Sequence, residues 1–132
     1  MDKDRLSSLP LFGSLSKREC REVARYADEM DLEEGTELVR EGEFAYEFFL
    51  IEDGTAEVMR GGAHVADLGP GDFMGEMGLV QHQRRNASVV ARSPMRCVVM
   101  SGQDFRTMER QLPDVAQRIQ SVVDERSQPL AG

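Results

Sequence analysis

Phe48-Phe49-Leu50-Ile51-Glu52-Asp53-Gly54-Thr55-Ala56-Glu57-Val58-Met59-Arg60-Gly61-Gly62-Ala63-His64-Val65-Ala66-Asp67-Leu68-Gly69-Pro70-Gly71 is the stretch that decides the fold. Each short apolar or alternating run in it is cut off by glycine: Phe48 to Ile51 by Asp53-Gly54, Ala56 to Met59 by Gly61-Gly62, and Ala63 to Leu68 by Gly69-Pro70-Gly71. Glycine reaches backbone conformations that other residues resist, and turn signals at intervals of about ten residues mark short strands, here read as successive hairpins.

The same punctuation extends outward in both directions. Gly35 and Gly42 precede the stretch, and Ala87-Ser88-Val89-Val90-Ala91 and Met95 to Met100 follow it as two β-type runs around Arg92-Ser93-Pro94. Helical grammar flanks the strands. Ser16-Lys17-Arg18-Glu19 has the form of a capping box, with Cys20, Val23, Ala24 and Ala27 at helical spacing behind it. Ser101-Gly102-Gln103-Asp104 repeats that form before Phe105, Met108 and Leu112, and Pro113 separates this helix from another carrying Val115, Ile119, Val122 and Val123. The expected fold is mainly β with flanking helices: an eight-stranded β-roll, or jelly roll, with an N-terminal helix and two C-terminal helices.

At 132 residues, with 40% hydrophobic and 30% charged side chains, the chain is expected to be one domain over 1–132. No apolar run nears the roughly 20 residues that cross a bilayer, so no membrane association is expected. Met1-Asp2-Lys3-Asp4-Arg5 leads into Ser7, Ser8 and Pro10 rather than an apolar stretch, which predicts no secretory signal and a cytoplasmic location. Sixteen Lys and Arg against 24 Asp and Glu give a net charge of -8, a surface that repels nucleic acid unless a basic stripe compensates. No such stripe is present, and direct nucleic-acid binding is not expected. Cys20 and Cys97 are far apart and lack neighbouring ligand residues, which predicts reduced, buried thiols. His64 and His82 are the only histidines and are not spaced as ligands, so neither a metal site nor a metal-dependent jelly-roll enzyme is expected. No nucleophile-elbow sequence suggests a hydrolase, and the chain is read as a non-enzyme with no cofactor.

Chemistry concentrates in Gly71-Asp72-Phe73-Met74-Gly75-Glu76-Met77-Gly78-Leu79, then Val80-Gln81-His82-Gln83, then Arg84-Arg85-Asn86-Ala87-Ser88. A helical turn opened at Gly75 presents unpaired N-H groups to an anion, and phosphate is the natural guest. Arg85 brings a planar, permanently charged fork to the same place. Glu76, an acceptor when ionised, suits a sugar hydroxyl. A tight turn with a solvated Glu and Arg accounts for the same residues without a ligand.

The order and spacing of these residues resemble the phosphate-binding cassette of cyclic-nucleotide-binding domains, the module of catabolite activator proteins and of cAMP-dependent protein kinase regulatory subunits. Gly75-Glu76-Met77-Gly78-Leu79 is similar to the first half of the cassette, and Arg85-Asn86-Ala87-Ser88-Val89 to the second. Leu9-Pro10-Leu11-Phe12, Gly42-Glu43, Phe49-Leu50-Ile51-Glu52-Asp53-Gly54, Leu68-Gly69-Pro70-Gly71-Asp72 and Ala91 follow the family pattern in order, so the likeness runs from about Leu6 to Asp124.

The resemblance implies a cassette over 71–88, with Glu76 accepting from the ribose 2′-hydroxyl and Arg85 pairing with the cyclic phosphate. It further implies that backbone N-H groups near Gly78 and Ala87 complete the cradle, with Gly75, Met77, Asn86 and Ser88 beside them. Val58 and Val65 fall where the family offers apolar contacts to the base, and ordinary core packing accounts for them equally. Asn86 departs from the small or hydroxylic residue that many members carry, which leaves cAMP against cGMP open; Arg84 is read as a solvated neighbour. The implied function is a cyclic-nucleotide (cAMP or cGMP) regulatory domain that couples binding to movement of a C-terminal lid helix over 113–126. Its output would pass to an effector protein, to a second copy of the chain or to a domain absent from this sequence, and the family's helix-turn-helix route to DNA is not expected. The alternative is an interaction module of the same fold that has lost nucleotide binding.

Overall fold

The computed structural model describes residues 3–42, 47–74 and 87–126. Its architecture follows from one strand, β3 (Glu47–Asp53), whose consecutive Phe48, Phe49, Leu50 and Ile51 are all buried. Side chains alternate across a strand, so an unbroken apolar run demands cover on both faces. Phe48 and Leu50 enter one core and Phe49 and Ile51 another. β8 (Met95–Ser101) does the same: Val98 and Met100 join the first core, and Met95, Cys97 and Val99 the second.

These strands form the centre of an antiparallel sheet ordered β1-β8-β3-β6, where β1 is Asp28–Leu32 and β6 is Phe73–Met74. A second antiparallel sheet, ordered β2-β7-β4-β5, faces it with Glu37–Val39, Ser88–Ala91, Ala56–Arg60 and Ala63–Leu68. In this sheet Ala56, Val58, Val89 and Ala91 are buried and their neighbours are less so, the pattern of strands with one face inward. The roll of eight strands expected from the glycine spacing is what these described residues build.

The hairpin reading is corrected at one place, between β3 and β4. β4 and β5 pair as a hairpin through Gly61-Gly62, whereas β3 and β4 lie in different sheets, as do β7 and β8. Asp53-Gly54-Thr55 and Arg92-Ser93-Pro94 are therefore corners between sheets, and they pack on each other. The Thr55 N-H donates to Ser93 Oγ at 3.0 Å, and the Arg92 N-H donates to the Thr55 carbonyl at 2.9 Å. Gly54 has φ +94°, and a Cβ there would lie 2.4 Å from the Pro94 carbonyl oxygen. A local turn signal specifies a change of direction but not whether the next strand stays in the same sheet.

Helices cover the outer face of the β1-β8-β3-β6 sheet. α1 (Lys3–Ser7), a 3-10 turn over Pro10–Phe12, α2 (Lys17–Val23), α3 (Gly102–Gln111) and α4 (Pro113–Arg126) supply Leu6, Phe12, Cys20, Val23, Phe105, Met108, Val115 and Ile119 to the first core. Both halves of the capping box at Ser16 form, with the Glu19 N-H on Ser16 Oγ at 3.1 Å and the Ser16 N-H on Glu19 Oε1 at 2.9 Å. α2 stops earlier than the periodicity predicts: Ala24–Tyr26 is a 3-10 turn and Ala27 is extended but buried, as the chain tightens into β1. Ser101 Oγ accepts from the Asp104 N-H at 3.0 Å at the start of α3, and α3 and α4 break at Leu112 before Pro113. Cys20 and Cys97 are free and buried in the two separate cores.

Candidate nucleotide site

The expected cassette, 71–88, takes in β6 of one sheet and reaches the first residue of β7 in the other. β6 ends at Met74 and β7 begins at Ser88, and both Met74 and Ala87 are buried in the interior of the roll. The described chain thus leaves one sheet at Met74 and enters the other at Ser88, with Met74 and Ala87 in the same apolar core. Gly75, Glu76, Met77, Gly78, Arg85 and Asn86 lie outside the described residues, and so does Arg84.

The remaining expected residues divide by strand alternation. Val58 pairs with Val89 across β4 and β7 and with Ala66 across β4 and β5, and it is fully buried. The β4-β5 register then shifts, with Met59 opposite His64, so Val65 is the extra residue of a bulge. A bulge re-aims the side chain it carries, and Val65 packs half-buried against the same interior. Val58, Val65 and Ala87 are therefore brought together in one apolar wall. Ser88 sits opposite Met59, in alternation with the buried Ala87 and Val89.

Ser88 Oγ accepts from the Glu41 N-H at 2.9 Å, and Glu41 Oε1 accepts from the Gly61 N-H at 2.9 Å. Glu41, just after β2, thus ties the first residue of β7 to the β4-β5 hairpin, fixing the rim where the cassette returns. Sequence reasoning passed over Glu41; its only local signal is the adjacent Gly42. On the same sheet, His64 Nδ1 lies 2.6 Å from Glu57 Oε2, and Arg92 Nη2 lies 2.6 Å from Glu57 Oε1. Hydrogen bonds from His64, and then from Arg92, hold the Glu57 carboxyl below its usual range, so the hairpin is braced by charge at mid-strand.

The expected lid is anchored at its start. Val115 and Ile119 of α4 are buried in the helical core, and Arg118 pairs with Glu19 of α2 and, at 3.3 Å, with Asp114. A groove of about 390 Å³ runs beside that pair, lined by residues of α2 and of the α3-α4 junction, including Glu22, Leu112 and Pro113. Among the described residues no group of three or more His, Cys, Asp or Glu is placed to hold a metal, and no helix is long and apolar enough to cross a membrane.

The described residues form an antiparallel roll of two four-stranded sheets with helices on one face. The cyclic nucleotide-binding domain model matches residues 29–111, and the chain belongs to that family. The cAMP-dependent protein kinase regulatory subunit of Schizosaccharomyces pombe is 31% identical over 104 residues, which cover 78% of this chain and 25% of the subunit. The chain thus spans about a quarter of that relative's length. The catabolite activator protein of Thermus thermophilus superposes with a TM-score of 0.74 at 28% identity, covering 89% of this chain and 57% of that one. A putative cyclic nucleotide-binding protein from Geobacter metallireducens has a TM-score of 0.80 over 95% of this chain and 94% of its own, and at 22% identity it supports the fold.

Proposed function

We propose that this domain binds a cyclic nucleotide, cAMP or cGMP, and passes the event to an effector protein or a second copy of the chain through α4. The observation that supports this reading is the match of the family model to residues 29–111, a span that contains both halves of the cassette pattern, 75–79 and 85–89. Arg85 takes the cyclic phosphate, the backbone N-H groups near Gly78 and Ala87 complete the cradle, and Glu76 accepts from the ribose 2′-hydroxyl. Val58 and Val65 offer the base an apolar wall, with Gly75, Met77, Asn86 and Ser88 shaping the rim. The domain acts by binding alone, without catalysis, and two buried free thiols fit a reducing compartment such as the cytoplasm.

The melting midpoint of the purified chain, measured with cAMP, cGMP and linear AMP, tests the reading. A ligand at 100 times its dissociation constant stabilises by about 2.7 kcal/mol, a rise of roughly 10 °C for a domain of this size. A rise with a cyclic nucleotide but not with AMP supports it. No rise with either cyclic nucleotide at millimolar concentration leaves the interaction module in its place.

A further inference from the structure

Three buried side-chain atoms among the described residues lack a hydrogen-bond partner: Glu29 Oε2, Glu52 Oε2 and Arg118 Nε. The first two belong to one cluster. Glu29 on β1 and Leu50 on β3 both pair with Val98 of β8, so they flank it on the helix-covered face of the sheet. Glu52 follows at a break in register, with Ile51 opposite Cys97 and Asp53 opposite Arg96, and this bulge turns its side chain toward the same face. Arg5 of α1 descends between the two carboxyls. Its Nη1 is 3.4 Å from Glu29 Oε1 and its Nε is 3.8 Å from Glu52 Oε1.

Arg5 therefore serves one oxygen of each glutamate and leaves the other two buried and unpartnered. The Glu52 side chain is only 8% exposed, and that of Glu29 is 23% exposed. Two ionised carboxylates here would share the single charge of Arg5, with one buried oxygen of each left without a donor. A single proton removes the conflict, because a protonated carboxyl donates to its neighbour and halves the buried charge.

We propose that Glu29 and Glu52 share one proton beneath Arg5, and that release of this proton lowers the stability of the fold. Burial is the first cause that pushes the Glu52 carboxyl up, to about 7, followed by the hydrogen bond and charge of Glu29, against the lowering charges of Arg5 and Arg96. The surrounding groups do not supply a substitute for the proton. Arg96 of β8 is engaged by Asp31 of β1 at 2.8 Å, and the Cys97 thiol, raised to about 11 mainly by burial, belongs to the other core. Glu29 and Glu52 project from strands fixed to β8.

The sign is set by an acid whose folded pKa lies above its unfolded one. The folded chain retains the proton between the ordinary carboxylate range and neutrality, so the stabilisation is complete below that ordinary range and is lost as pH rises through about 7. Carboxyl 13C NMR of the whole chain between pH 4 and 9, on the wild type and on Glu52→Gln, Glu29→Gln and Arg5→Gln, tests this together with melting midpoints at pH 5.5 and 8.5. One carboxyl of the wild-type pair should titrate near neutrality, and the wild-type midpoint should fall between the two pH values. Glu52→Gln carries a permanent donor and should abolish both the neutral titration and the fall; Glu29→Gln should do the same from the other side. Arg5→Gln removes a lowering charge and should move the titration to higher pH, which a merely structural role would not do. Two wild-type carboxyls titrating at about 4 to 5, or a fall in midpoint that survives in both glutamine variants, would overturn the proposal.

Discussion

At the scale of single residues, the role proposed for Glu76 carries the sharpest prediction, because a carboxylate in a binding site that loses its hydroxyl donor is left unpaired. A site built in this way rejects an analogue lacking the hydroxyl, so 2′-deoxy-cAMP should bind far more weakly than cAMP by titration calorimetry. Equal affinities would remove Glu76 from the site. Gly54 carries the residue-scale prediction for stability. Gly54→Ala drives a Cβ into the Pro94 carbonyl and into Met95, whereas Gly61→Ala meets nothing within 4 Å. The first should cost roughly 1 to 3 kcal/mol more than the second in denaturant unfolding, the range of overpacking in a rigid setting. Gly54 was legible in the sequence as a turn; its partner across the corner was not, because that contact joins residues remote in the chain. Glu41 was passed over for the same reason, since its bonds reach Gly61 and Ser88 through tertiary structure.

At the scale of elements, the strands announced themselves through glycine spacing, and α2 and α3 through their caps. α1 gave no signal: five residues of mixed charge with one buried Leu6 offer no period to read. The two faces of β3 and β8 were equally hidden, since an apolar run shows that both sides are covered but not that one cover is helical. α4 is the element to which the proposed function assigns the signal. Its first turns are held by Val115, Ile119 and the Arg118 pair with Glu19, so nucleotide-linked motion must either break that seat or be confined beyond it. A ligand shifts such an equilibrium only through its different affinity for the two positions, and coupling of about 1 to 3 kcal/mol is the expected scale. Hydrogen exchange over residues 113–126 should change on saturation with nucleotide, most at the end distal to Ile119. Unchanged protection, with binding confirmed, would make α4 a static cover.

The whole molecule is squeezed by pH from two sides. Asp31 is held below its usual range by the Arg96 hydrogen bond, Glu57 by His64 and then Arg92, and Glu19 by the Ser16 backbone and then Arg118. Acids with lowered folded pKa values stabilise above the ordinary carboxylate range and lose that contribution as pH falls through their folded values, so the melting midpoint should decline below about pH 4. These pairs are solvent-facing, and added salt should blunt that decline. The central claim concerns the cassette, whose pattern from Gly75 to Val89 is read from the sequence and whose residues 75–86 lie outside the described structure. Titration calorimetry of cAMP and cGMP into the wild type, Arg85→Ala and Arg84→Ala tests it most directly. Removing one partner of a desolvated charge pair costs about 2 to 5 kcal/mol, so Arg85→Ala should weaken binding by roughly thirty-fold to several thousand-fold while Arg84→Ala changes it little. Equal losses in the two variants, or no heat of binding in the wild type with either nucleotide, would contradict the account.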